Sequence, residues 1–121
     1  MTAIDMHAHY YGGLVDDLMK RSTRPFVSRN GQGRLVLNAM TASTEMSDGY
    51  TNLPARLAWM DRNGVATQLL TFPGALGVDV MPADEIAGPI RAFNDHLAAI
   101  CAGSGGRFAG LAGLPLADTA L

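Results

Sequence analysis

The chain has 121 residues, a formal charge of −2, 48% hydrophobic and 17% charged residues. That is one domain's length with enough apolar content for a core, which excludes a disordered chain, and mild acidity with scattered arginines gives no footprint for nucleic acid. A single cysteine, Cys101, excludes an internal disulfide framework, and no apolar run approaches the ~20 residues needed to span a bilayer. The N-terminus "MTAIDMHAH" lacks a basic region followed by a long apolar core, so no secretory signal is expected. These features describe a cytoplasmic protein with no membrane partner.

In chain order, the first element is a short buried strand, Ala3 to His7, bounded downstream by Gly12-Gly13. Leu14 to Arg21 follows as a short helix, with Leu14, Leu18 and Met19 as candidates for its apolar face. Residues 22–50 show no sustained period. Arg24-Pro25, "NGQG" and "SDG" are turn signals, and "GRLVLNAM" has room for one hairpin strand, so the segment reads as a long irregular insertion. Regularity returns at Asn52, a cap-like residue before a proline in the first turn. Leu53, Leu57 and Met60 recur at helical spacing, and Gly64 closes the helix. A strand from Val65 to about Phe72 is halted by Pro73-Gly74. In the next helix Gly88-Pro89 reads as a break or restart, after which Ile90, Phe93, Leu97, Ile100 and Cys101 form one stripe. The third strand is Phe108 to Leu114, stopped by Pro115. Asp118 looks like the N-cap of a further helix, which suggests that a longer protein continues past Leu121. Apolar strands alternating with helices predict parallel pairing in the order of the chain.

Two of the three histidines, His7 and His9, stand one residue apart at the end of the first strand. With period-2 alternation they project from one face, and two neutral imidazoles so placed can hold one divalent cation. A bare His-x-His is also compatible with ordinary polar residues at a strand end. Its position favours the site, because parallel α/β sheets carry their chemistry at the C-terminal ends of strands. Asp5 lies two residues earlier. It is either an acceptor that orients an imidazole or a carboxylate that caps backbone at the strand start. His96 falls in mid-helix on the flank of the stripe and reads as a surface or packing residue, and Cys101 as core.

"IDMHAH" resembles the strand-1 metal motif of the amidohydrolase superfamily. "ARLAWMDRNGVATQLLTFP", "AFNDHLAAI" and "RFAGLAGLPLAD" resemble successive segments of its amidohydrolase-related branch, which includes aminocarboxymuconate-semialdehyde decarboxylase. The resemblance implies a (β/α)8 TIM barrel, which needs roughly 250 residues, with residues 1–121 holding about the first three βα units of a single domain without internal boundary. It implies a divalent metal, zinc, on His7 and His9, a homo-oligomer, and hydrolysis or non-oxidative decarboxylation of a small carboxylated cyclic or aromatic substrate. The remaining ligand and catalytic residues are expected beyond Leu121. The family's substrate arginine, followed by proline, has no counterpart in "TASTEMSDGY", and Arg56 on the following helix reads as structural or exposed. The alternative is an incomplete, inactive chain that serves as a structural or self-associating module.

Overall fold

The computed structural model describes residues 2–74 and 77–117. Ten elements follow in chain order: β1 (Ala3–His9), α1 (Val15–Met19), β2 (Phe26–Arg29), β3 (Leu35–Asn38), β4 (Ser43–Glu45), a 3₁₀ turn (Asp48–Tyr50), α2 (Leu53–Arg62), β5 (Val65–Thr71), α3 (Ala83–Gly103) and β6 (Phe108–Leu111). Asp118 lies outside the described residues.

The three strands expected to pair do so, in parallel and in the order β1-β5-β6. The chain is therefore α/β, with crossover helices α2 and α3 between the strands. Asn52 caps α2, its side-chain oxygen accepting the N–H of Ala55 at 3.0 Å, and Pro54 sits in the first turn where no N–H is needed. The chain leaves α2 through Gly64 at φ +69°, a left-handed turn that glycine adopts without steric cost. On the inner side of α2, Met60 is fully buried, with Leu53 and Leu57 half-buried beside it.

Helix α3 differs from expectation at Gly88-Pro89: it runs through the proline without a break. A proline inside a helix costs on the order of 3 kcal/mol. Ile86, Ile90, Phe93 and Leu97 span both sides of it as one continuous buried stripe, and their packing outweighs that cost. Phe93 meets Phe72 edge to face with ring centroids 5.2 Å apart. Ile100 and Cys101 extend the stripe at half burial, as the spacing foretold.

β6 ends at Leu111, three residues earlier than the apolar run suggested. Beyond it the side-chain amide of Asn94 replaces a strand neighbour: it accepts the N–H of Gly113 at 2.7 Å and donates to its carbonyl at 2.9 Å. Gly110 lies so close to α3 that a Cβ there would fall 2.7 Å from Cδ2 of Leu97.

The segment 22–50 is not irregular. It carries a three-stranded antiparallel sheet, β2-β3-β4, with Phe26 opposite Asn38 and Val36 opposite Glu45. Its β2–β3 turn is held by Asn30, whose Oδ1 accepts the N–H groups of Gln32 and Arg34 at 3.0 Å each. Strands of three or four residues that bury at most two side chains each leave no measurable period: Val27 is the buried residue of β2, Leu37 and Asn38 those of β3, and β4 is exposed throughout. Val27 and Leu37, with Met46 just after β4, join the main core with Leu14, Leu18 and Tyr11. Met19, proposed for the apolar face of α1, is 40% exposed instead. No helix of the described residues is long and apolar enough to cross a membrane.

Candidate metal centre

The site lies at the C-terminal end of β1, and its shape begins with an irregularity in the sheet. Between the paired positions Asp5–Gln68 and Ala8–Leu70, β1 runs three residues while β5 runs two. Such an extra residue bends a strand and re-aims its side chains. Asp5 holds the irregularity, its Oδ1 accepting the backbone N–H of His7 at 3.1 Å. Of the two roles open to this carboxylate, backbone capping is the one seen. Among the described residues Asp5 makes no hydrogen bond to either imidazole, although it lines the same cleft as both; its oxygens are taken by the His7 N–H and the Gln68 amide.

Its second oxygen faces β5 and α2. Gln68 Nε2 donates to Asp5 Oδ2 at 2.7 Å, and Gln68 Oε1 accepts from Arg56 at 2.8 Å. The same guanidinium donates through Nε to the carbonyl of Gly49 at 2.9 Å and through its other terminal nitrogen to the carbonyl of His9 at 2.8 Å. Arg56 is only 8% exposed. Burial lowers its pKa, while Tyr10, Asp5 and Tyr50 oppose that change. It is structural rather than exposed: one side chain ties α2, β5, the 3₁₀ turn and the end of β1 together.

Beyond this anchor His7 and His9 converge, with Nε2 atoms 3.1 Å apart and rings edge to face. Two nitrogens at the zinc–nitrogen bond length and a tetrahedral angle stand about 3.3 Å apart, so the observed span fits two donors to one ion. The other nitrogen of His9, Nδ1, lies 2.8 Å from the hydroxyl of Thr71, its partner across the sheet. Burial, with the charges of His7 and Arg56 adding to it, lowers the pKa of His9 below its ordinary value and favours the neutral ring that a cation requires. Among the described residues no group of three or more His, Cys, Asp or Glu side chains is placed to hold a metal ion. Two imidazoles are thus one donor short of the three protein ligands usual for catalytic zinc.

His96 stands away from the pair. Its ring stacks on Tyr10, with Nε2 3.2 Å from the phenol oxygen, a packing role on the outer part of α3. Cys101 is half-buried, and burial raises its pKa, which keeps it a thiol. The histidine pair opens on a cleft of about 530 Å³ lined also by Tyr50, Trp59 and Arg62. Gln68 and Thr71 had no signal in the sequence beyond membership of an apolar strand.

No protein-family model and no curated protein matches the sequence. Among solved structures, the fold is similar to that of Metarhizium anisopliae IDCase in its apo form, with a TM-score of 0.76 and 22% identity over 95% of this chain. It is also similar to a Staphylococcus aureus protein provisionally described as an amidohydrolase, with a TM-score of 0.63 and 19% identity over 97% of this chain. The chain spans 35% and 30% of the lengths of those two proteins.

Proposed function

We propose that the chain is the metal-binding first part of a hydrolase or non-oxidative decarboxylase built on a (β/α)8 barrel. The observation that carries this reading is the convergence of His7 and His9 at the C-terminal end of a parallel strand, Nε2 to Nε2 3.1 Å. Likeness of fold to IDCase and to the Staphylococcus aureus protein supports it. His7 and His9 would hold a divalent ion, zinc by the nitrogen donor set. When bound, such an ion supplies Lewis-acid polarisation of a substrate carbonyl or carboxylate and generates a nucleophile from water near neutral pH.

The chain's own residues do the rest of the work available here. Arg56 fixes the His9 carbonyl, and Asp5 fixes the backbone of His7, so both ligands start from a held main chain. Arg62 and the aromatic faces of Trp59 and Tyr50 give the cleft a cationic and planar lining, which suits a small carboxylated cyclic compound. The third ligand and a general base are expected from chain beyond these residues.

The test is a zinc titration with an activity assay on the 121-residue chain, on a longer protein that contains it, and on the His7→Ala/His9→Ala variant of each. Weak zinc binding and no turnover are expected from the short chain, and loss of metal and turnover from the longer variant. Unchanged metal content in the double variant would remove the metal role. Tight stoichiometric zinc with turnover in the short chain would show that no further ligands are needed.

A second reading, self-association, has its own observation. Ile4 and Met6 on β1 are 61% and 67% exposed, and Leu111 and Leu114 at the other end of the sheet are 55% and 65% exposed. Open strand edges with apolar side chains favour pairing with another copy. Sedimentation velocity decides this: a monomer at every concentration would exclude it.

A further inference from the structure

We propose that Thr71 is a positioning residue that fixes the tautomer of His9, so that His9 offers an unprotonated Nε2 toward His7. The proposal rests on the reading of the pair as metal ligands and adds to it the device that readies one of them.

Oγ1 of Thr71 lies 2.8 Å from Nδ1 of His9 and 3.2 Å from the carbonyl oxygen of Ala8. A threonine hydroxyl has one proton to donate, and a carbonyl oxygen can only accept. With the Thr71 proton directed to Ala8, the contact to the imidazole is a hydrogen bond only if Nδ1 carries a proton and donates it to Oγ1. A neutral imidazole has one N–H, so Nε2 then carries the lone pair. That nitrogen is the one 3.1 Å from Nε2 of His7. In the metal-free chain, Nε2–H of His7 donates across that gap; with a cation bound, both nitrogens must present lone pairs to it.

The sheet places Thr71 for this. It is paired with His9 in the β1–β5 register, and its own carbonyl accepts the N–H of Tyr10 at 3.2 Å, closing the last rung of the ladder. A β-branched side chain has few χ1 choices, so the hydroxyl stays where the rung puts it. The backbone of His9 is held separately by Arg56. Ring and main chain are therefore fixed by different residues, and removing the hydroxyl leaves the backbone anchor intact. An imidazole in water carries its proton mainly on Nε2. Without Thr71, His9 would have to move that proton to Nδ1 before it could bind through Nε2.

The experiment uses ¹⁵N-histidine NMR of the metal-free chain, with Thr71→Val and Thr71→Ser. Parent and Thr71→Ser should show His9 protonated at Nδ1. Thr71→Val, of nearly the same shape, should move the population toward Nε2–H. Zinc affinity should fall about 10- to 100-fold in Thr71→Val and recover in Thr71→Ser. A purely structural role for Thr71 would move neither the ring tautomer nor the rescue by serine. Parent His9 protonated at Nε2, or a tautomer unchanged in Thr71→Val, would overturn the proposal whatever the zinc data say. His7→Ala/His9→Ala separates the two ideas: zinc binding unaffected there sinks the metal reading, while the metal-free tautomer still decides the role of Thr71.

Discussion

Replacing Arg56 tests whether the candidate centre hangs from one buried guanidinium. Arg56→Met keeps most of the volume and removes the fork. Three hydrogen bonds are lost, to Gly49, Gln68 and His9, all between 2.8 and 2.9 Å. Bonds to a charged donor contribute about 1.5–3 kcal/mol each. Against that sum stands the cost of keeping a guanidinium out of water, several kcal/mol per buried ion, which methionine does not incur. The carbonyls of Gly49 and His9 can recover part of their loss from water in the cleft. The net expectation is a destabilisation of about 3 kcal/mol, a lowering of the melting midpoint by roughly 10 °C for a chain of this size. Arg56→Lys retains the charge but can reach only one of the three acceptors at a time, so it should lose at least half as much. Urea denaturation of parent, Met and Lys variants measures this, with Gln68→Leu added for a double-mutant cycle. A loss under about 1 kcal/mol for Arg56→Met, or additivity with Gln68→Leu, would refute the reasoning, because residues sharing one network must couple.

Three further outcomes follow from the same geometry. Asp5→Ala removes the acceptor of the His7 N–H and of the Gln68 amide, so denaturation should show a loss of about 1–3 kcal/mol; a neutral result would mean the strand irregularity holds without it. Gly110→Ala places a Cβ 2.7 Å from Leu97 and 3.2 Å from Sγ of Cys101, and overpacking should destabilise by about 1–3 kcal/mol, read as a lower melting midpoint. Tyr11 is buried, which pushes its phenol up to about 12, with Tyr50 adding to the rise. The unfolded chain loses that proton near pH 10 and the folded chain holds it longer, so the contribution is complete below pH 10 and disappears as pH rises toward 12. The full difference is worth at most about 2.7 kcal/mol, reduced by solvent screening to about 1 kcal/mol. Tyr11→Phe should flatten that alkaline limb in denaturation curves measured across pH 9 to 12; an unchanged slope would place the titration elsewhere.

Much of the main sheet was legible because its elements are long enough to show a period. The α3 stripe repeats over several turns, and β5 is a seven-residue strand rich in β-branched and aliphatic residues, set between Gly64 and Pro73. The 22–50 segment was not legible as a sheet, since its strands are only three or four residues long and bury at most two side chains each, too few to show a period. Pro89 misled for a different reason: a local rule about helix interiors was weighed without the tertiary packing of Ile86 and Ile90 on either side of it.

The site divides along the same line. The histidine pair could be read because its logic is local, two side chains at i and i+2 on a strand end. What holds the pair is non-local. Arg56 reaches His9 across 47 positions, Thr71 across 62, and Gln68 reaches Asp5 across 63. None of the three has an unusual neighbourhood in the sequence, and Gln68 interrupts an otherwise apolar strand in a way that is as compatible with an exposed edge as with a buried amide. The extra residue in β1 adds a further step, because it shifts the register of β1 against β5 between Asp5 and the end of the strand that carries His9. Donor identity is therefore a property of the motif, whereas the direction in which each donor points is set by the register between β1 and β5. A substitution that shifts this register by one residue would leave both histidines in place and still dissolve the site.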